Sequence, residues 1–95
     1  MSAADRAGQL AAILAAMPGN DSHAQRQRML TAMQKLGSVT TFEGSRFLDC
    51  YDPRARIHEL RNAGHGIKTV MRAERTESGI NHRVGVYLLH GAAHG

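Results

Sequence analysis

Two strong helix starts stand in close succession in this chain, and they constrain its fold more than any other feature. Thr40-x-x-Glu43 is a capping box, in which hydroxyl and carboxylate satisfy each other's free backbone N–H groups. Asp52-Pro53 is the second start, an N-cap carboxylate followed by a proline at the first helical position. The first of the two helices runs through Phe42, Gly44, Phe47 and Leu48, and Asp49-Cys50-Tyr51 is the turn. The second reads PRARIHELRNAG, with Ile57 and Leu60 inward and Gly64 as its stop. Gly44 is costly inside a helix unless it lets a neighbouring helix approach closely.

The segments on either side extend this helix–turn–helix. A helix beginning at Asp21 or Ser22 presents Met29, Leu30, Met33 and Leu36 on one buried face, leaves Arg26, Arg28, Gln34 and Lys35 to solvent, and ends at Gly37. Val39 and its neighbours favour a short extended segment. Downstream, Ile67 to Arg72 alternates, with Ile67, Thr69 and Met71 on one face, and Val70 spoils the alternation on the other. Ser78-Gly79 suits a hairpin tip, and His82 to Leu89 returns with Val84, Val86 and Leu88 on one face. Gly85 in that strand marks a bulge or a close backbone approach. The expected fold is mainly α with a small β-hairpin: a winged helix-turn-helix, with a three-helix core, a wing and an extra N-terminal helix.

That extra helix spans residues 3–17, with Leu10, Ile13, Leu14 and Met17 in one apolar stripe, and Pro18-Gly19-Asn20-Asp21 breaks it. The stripe serves either as a dimerisation contact or as a cover for one side of the core. The expected division is residues 1–20 as helix and linker, 21–89 as the winged domain, and 90–95 as a disordered tail. The run LAAILAAM is too short to span a bilayer, and with Asp5 ahead of it reads as a cytoplasmic helix rather than a signal peptide.

Charge narrows the partners. The net is +4, and it is uneven: Arg6 stands against Asp5 and Asp21 near the start, leaving eleven of twelve Lys/Arg and six of eight Asp/Glu beyond residue 21. A basic excess concentrated in one part points to an anionic partner, nucleic acid first. Cys50 is the sole cysteine, so there is no disulfide framework or Cys-based zinc site, and the six histidines show no metal-ligand spacing on one helix. Paired catalytic carboxylates and Gly-rich phosphate loops are also missing from the sequence, so neither an enzyme nor a cofactor is expected.

In a helix-turn-helix the second helix enters the major groove. Arg54, Ala55 and His58 lie on its first turns away from the Ile57/Leu60 face, and Arg54 is first choice for base readout, because arginine forks two hydrogen bonds onto guanine. Arg61 is a further candidate, and Arg56 either contacts DNA or pairs with an acid such as Glu59. Thr41, Ser45 and Arg46 on the preceding helix could touch phosphates, or serve capping and solvation. The hairpin supplies Lys68, Arg72, Arg75 and Arg83 for a phosphate strand or the minor groove.

Thr40-Thr41-x-Glu43, followed by Asp52-Pro53-Arg54-Ala55-Arg56-Ile57-x-Glu59-Leu60-Arg61-x-x-Gly64-His65-x-Ile67, resembles the small helix-turn-helix domain common in phage and prophage proteins. The resemblance covers residues 24–72. It implies a winged helix that binds DNA in a phage or mobile-element setting. Gly44 and Phe47 depart from the helix-favouring residues expected in that pattern. The leading expectation is a sequence-specific regulator of double-stranded DNA, possible as a homodimer on two half-sites. The alternative is a winged-helix interaction module, an inhibitor or adaptor that binds a protein.

Overall fold

A computed structural model describes residues 2–75 and 77–90. Its elements are α1 (Ala3–Ala16), α2 (Ser22–Leu36), β1 (Val39–Thr40), α3 (Thr41–Arg46), α4 (Pro53–Asn62), β2 (Ile67–Arg75) and β3 (Asn81–Leu89). Each helix starts where the capping chemistry places it. The Asp21 carboxylate accepts from Ala24 N–H, Thr40 and Glu43 close both halves of their box, and the Asp52 carboxylate accepts from Ala55 N–H. Gly37 ends α2 in the left-handed conformation at φ +87°. Ser2 and Asp5 form a further capping box on α1.

The strands form one antiparallel sheet in the order β1-β3-β2, so the expected hairpin is joined by a third strand, Val39 facing Tyr87 and Thr40 facing Val86. The β2–β3 register runs unbroken from Ile67↔Leu89 to Arg75↔Asn81. Gly85 is therefore a close approach and not a bulge: a Cβ there would meet the Thr41 hydroxyl at 3.1 Å and that of Tyr87 at 3.4 Å. Only Ile67 of β2 is buried. The strand is the outer one of the sheet, and Val70 and Met71, on opposite faces, are both exposed.

The core gathers Met29, Met33, Val39, Leu48, Ile57, Leu60, Ile67 and Tyr87. Gly44 lets α3 sit against this core, since a Cβ would lie 2.9 Å from the Met29 sulfur and 3.2 Å from Pro53 Cγ. Leu10 and Ile13 of α1 belong to the same core, with 0% and 3% of their surface exposed, and Met17 packs against it. The first helix thus covers one side of the domain. Leu10 and Ile13 are consumed there and have no surface left to offer a second copy. Arg6 fastens the other end of α1: its guanidinium grips the Glu43 carboxylate at 2.6 and 3.0 Å and donates to Ser38 O at 2.8 Å. Burial raises the Glu43 pKa, but the Arg6 and Thr40 hydrogen bonds outweigh it and hold the carboxyl below its ordinary value.

Arg28 corrects the expectation that it faces solvent. It is completely buried. Its guanidinium donates to Leu48 O at 2.7 Å, to Met17 O at 2.8 Å, to Gly19 O at 2.7 Å and to Asp49 O at 3.3 Å. Met17 caps the C-terminus of α1, and Leu48 lies just past α3. Helix C-termini carry free carbonyls and partial negative charge, so a cation without a carboxylate is well placed between two of them. One side chain thereby ties the α1–α2 link to the turn of the helix–turn–helix. Of the expected tail, His90 donates its N–H to Gly66 O at 3.1 Å, and residues 91–95 lie outside the described residues.

Candidate nucleic-acid interface

The sheet register sorts the basic side chains onto two faces, because successive residues of a strand point to opposite sides. Thr69, Met71, Ala73 and Arg75 of β2 share a face with Asn81, Arg83, Gly85 and Tyr87 of β3. Lys68, Val70, Arg72 and Glu74 share the other with His82, Val84, Val86 and Leu88. The first face looks toward α4. There Arg54, Ile57, Arg61, Thr69, Met71 and Tyr87 line a groove of about 320 Å³ between α4 and the hairpin. A second cleft, about 400 Å³, lies between α3 and β3 and is lined by Thr41, Ser45, Arg54 and Arg83 among others. Arg54 belongs to both.

The candidate residues differ in what their side chains already do. Arg54 is exposed on the first turn of α4 and has no ion pair among the described residues. Ser45, His58, Lys68, Arg75 and Arg83 are exposed as well, and the His58 ring lies 3.3 Å from the Asn62 amide. Ala55 is half-buried, and its N–H is held by Asp52. Arg61 has its guanidinium committed to Ile67 O at 2.9 Å and to the Thr69 hydroxyl at 2.7 Å, fastening the end of α4 to the start of β2. Thr41 is 3.1 Å from the Tyr87 hydroxyl, so its oxygen is drawn into the α3–sheet contact. Arg72 pairs with Glu74 at 2.6 Å on the face away from α4. Arg46 lies over the rings of Phe42 and Phe47, at 5.6 and 5.2 Å, and 3.6 Å from Glu77. Arg56 takes the structural alternative: it pairs with Glu59 at 2.8 Å and reaches Gln25. Glu59 also accepts from Arg26 of α2, chiefly the contact that holds its carboxyl below the ordinary value.

Sequence reasoning missed Thr69, Met71 and Tyr87 as walls of the groove. The expected face of Ile67, Thr69 and Met71 was the available signal, but periodicity does not say which face meets α4. Cys50 is buried and its pKa is pushed up to about 11 by desolvation, so the thiol is protonated at neutral pH and inert. Among the described residues no group of three or more His, Cys, Asp or Glu could hold a metal, and no helix is long and apolar enough to cross a membrane.

A three-helix core whose last helix is flanked by a β-hairpin is a winged helix, an architecture that supports DNA binding. The chain matches the model of the winged helix-turn-helix domain family over residues 24–92, and it belongs to that family. Comparison with curated proteins and with solved structures returned no match.

Proposed function

We propose that this protein is a sequence-specific binder of double-stranded DNA that acts as a regulator of the phage or mobile-element kind, without a catalytic step. In this reading α4 enters the major groove and Arg54 reads a base edge. Ser45 and His58 flank it on phosphates, and Arg75 and Arg83 carry the hairpin along the backbone or into the minor groove. The observation that supports it best is Arg54 itself: an exposed arginine without an internal partner among the described residues, on the first turn of α4, at the wall shared by the two clefts. An arginine so placed keeps its fork of donors available for guanine O6 and N7. Lys68 and Arg72, on the far face, are assigned at most a peripheral electrostatic part.

The experiment is selection of bound duplexes from a random pool, followed by titration of the winning duplex at two salt concentrations. Affinity should fall steeply with salt as neutralised phosphates release counterions. Arg54→Ala should weaken the selected site by ~1–3 kcal/mol and relax its sequence preference. Loss that is equal on all duplexes would reassign Arg54 to a phosphate. Absence of duplex binding at low salt would overturn the proposal and leave the protein-interaction module as the reading of the same fold.

A further inference from the structure

In the sheet order β1-β3-β2, the outer edge of β2 has no partner among the described residues, although β2 is nine residues long. Long free edges are templates for another strand. Val70 and Met71, near the middle of this one, are 42% and 47% exposed. Leu10 and Ile13 of the α1 stripe are buried inside the domain, and the β2 edge is an uncommitted feature through which two copies could join.

We propose that two copies of this chain pair along β2, antiparallel, about a two-fold axis at Met71. Antiparallel pairing of two identical edges puts the axis perpendicular to the sheet, and paired residues must share a face. The allowed registers are then those in which some residue faces its own copy. Centring on Val70 sets Lys68 against Arg72 of the second copy. Centring on Arg72 sets the two Arg72 side chains against each other. Like charges directly opposite are destabilising. Centring on Met71 overlaps the whole strand, Ile67 to Arg75, and sets Lys68 against Glu74 of the second copy, twice by symmetry. Glu74 already accepts from Arg72 at 2.6 Å, so the arriving Lys68 would flank this carboxylate with a second cation. Charges that normally keep an edge from pairing thus become complementary in the one register that uses all of it.

The perpendicular axis has a consequence for geometry. Both α4 helices fall on the same side of a continuous six-stranded sheet, and edge pairing covers neither face of the hairpin. The two Arg54 side chains would then face one DNA duplex as a symmetric pair. The interface itself does not rest on the DNA-binding reading.

The test is oligomeric state without DNA, by light scattering after size exclusion. The full-length chain should run as a dimer. Lys68→Glu alone and Glu74→Lys alone should each halve the apparent mass, and an equimolar mixture of the two variants should return to the dimer mass. A Met71→Cys chain should cross-link to itself under air oxidation, since directly paired Cα atoms lie about 4.5–5.5 Å apart. Thr69→Cys, which faces Ala73 of the second copy, should not. A monomeric wild type, variants that remain dimeric, or a mixture that stays monomeric would each overturn the proposal. A monomer that binds DNA overturns only this interface, and a dimer that ignores DNA overturns only the proposed function.

Discussion

Replacing Arg28 by methionine tests the central strut of the fold. The substitution keeps most of the side chain's length and removes its donors. Leu48 is fully buried, so its carbonyl loses its partner with no water to replace it, at about 2–3 kcal/mol. The Met17 and Gly19 carbonyls belong to the link near the surface and can rehydrate. Each loses a charge-assisted bond, a net of about 1 kcal/mol apiece, and the long Asp49 contact adds little. Against a gross loss of about 5 kcal/mol stands the relief of a buried charge that methionine no longer desolvates, about 2 kcal/mol. The expected outcome is a destabilisation of about 3 kcal/mol, a large part of the ~5–15 kcal/mol a domain this size holds. Urea unfolding followed by circular dichroism would measure it, with Arg28→Lys falling between the two, because a compact ammonium cannot fork to carbonyls on two sides. A loss below about 1 kcal/mol for Arg28→Met would refute the reasoning, since it would mean that those carbonyls gain nothing from the guanidinium.

Glu43→Gln should flatten the acid side of the stability curve. The carboxyl is held below its ordinary value in the folded state, so its contribution is present above the unfolded pKa, near 4.5, and is lost as pH falls through the folded one. Denaturant midpoints across that range should therefore converge between wild type and variant as pH drops. Gly44→Ala gains about 1 kcal/mol of helix propensity but forces a Cβ to 3.2 Å from the rigid Pro53 ring as well as onto the more yielding Met29 sulfur. A net loss of about 1 kcal/mol in thermal or urea unfolding is expected, and a gain would show that the ring can shift. Cys50 should resist alkylation at neutral pH in the folded protein and react fully in denaturant, because burial keeps the thiol protonated.

Much of this fold is legible from caps. Thr40, Asp52, Gly37 and Pro53 each act on the backbone within a few residues, so their effect does not depend on what packs around them. The short strand at Val39 is legible from its β-favouring residues, but its pairing is not, because β3 lies far away in the chain. The wing's phase was legible but its depth was not. Val70 breaks the alternation because β2 is the outer strand of the sheet and, past Ile67, neither of its faces is buried.

The fate of the arginines marks where reading along the chain stops. Gln25, Arg28, Met29, Ala32 and Met33 share one continuous buried helical stripe, so Arg28 lies within the buried face and not on the solvent side. Residue type argued for solvent, and the four carbonyls that reverse this come from two separate turns. Arg61 lies near the end of α4, where its charge suits the helix dipole, but its partners are supplied by the strand that follows the Gly64 stop. Arg6 likewise meets an acid brought to it by folding, Glu43, whereas Arg56 pairs with Glu59 three residues along its own helix, as the sequence allowed. An arginine is left over for DNA when the fold does not engage its guanidinium. At the start of α4 this holds for Arg54, which has no ion pair among the described residues, while the nearby Asp52 carboxylate accepts from Ala55 N–H instead. Net charge ranks the arginines equally, and internal hydrogen bonding and ion pairing separate them: Arg54, Arg75 and Arg83 are left uncommitted among the described residues, and of these Arg54 alone lies on α4.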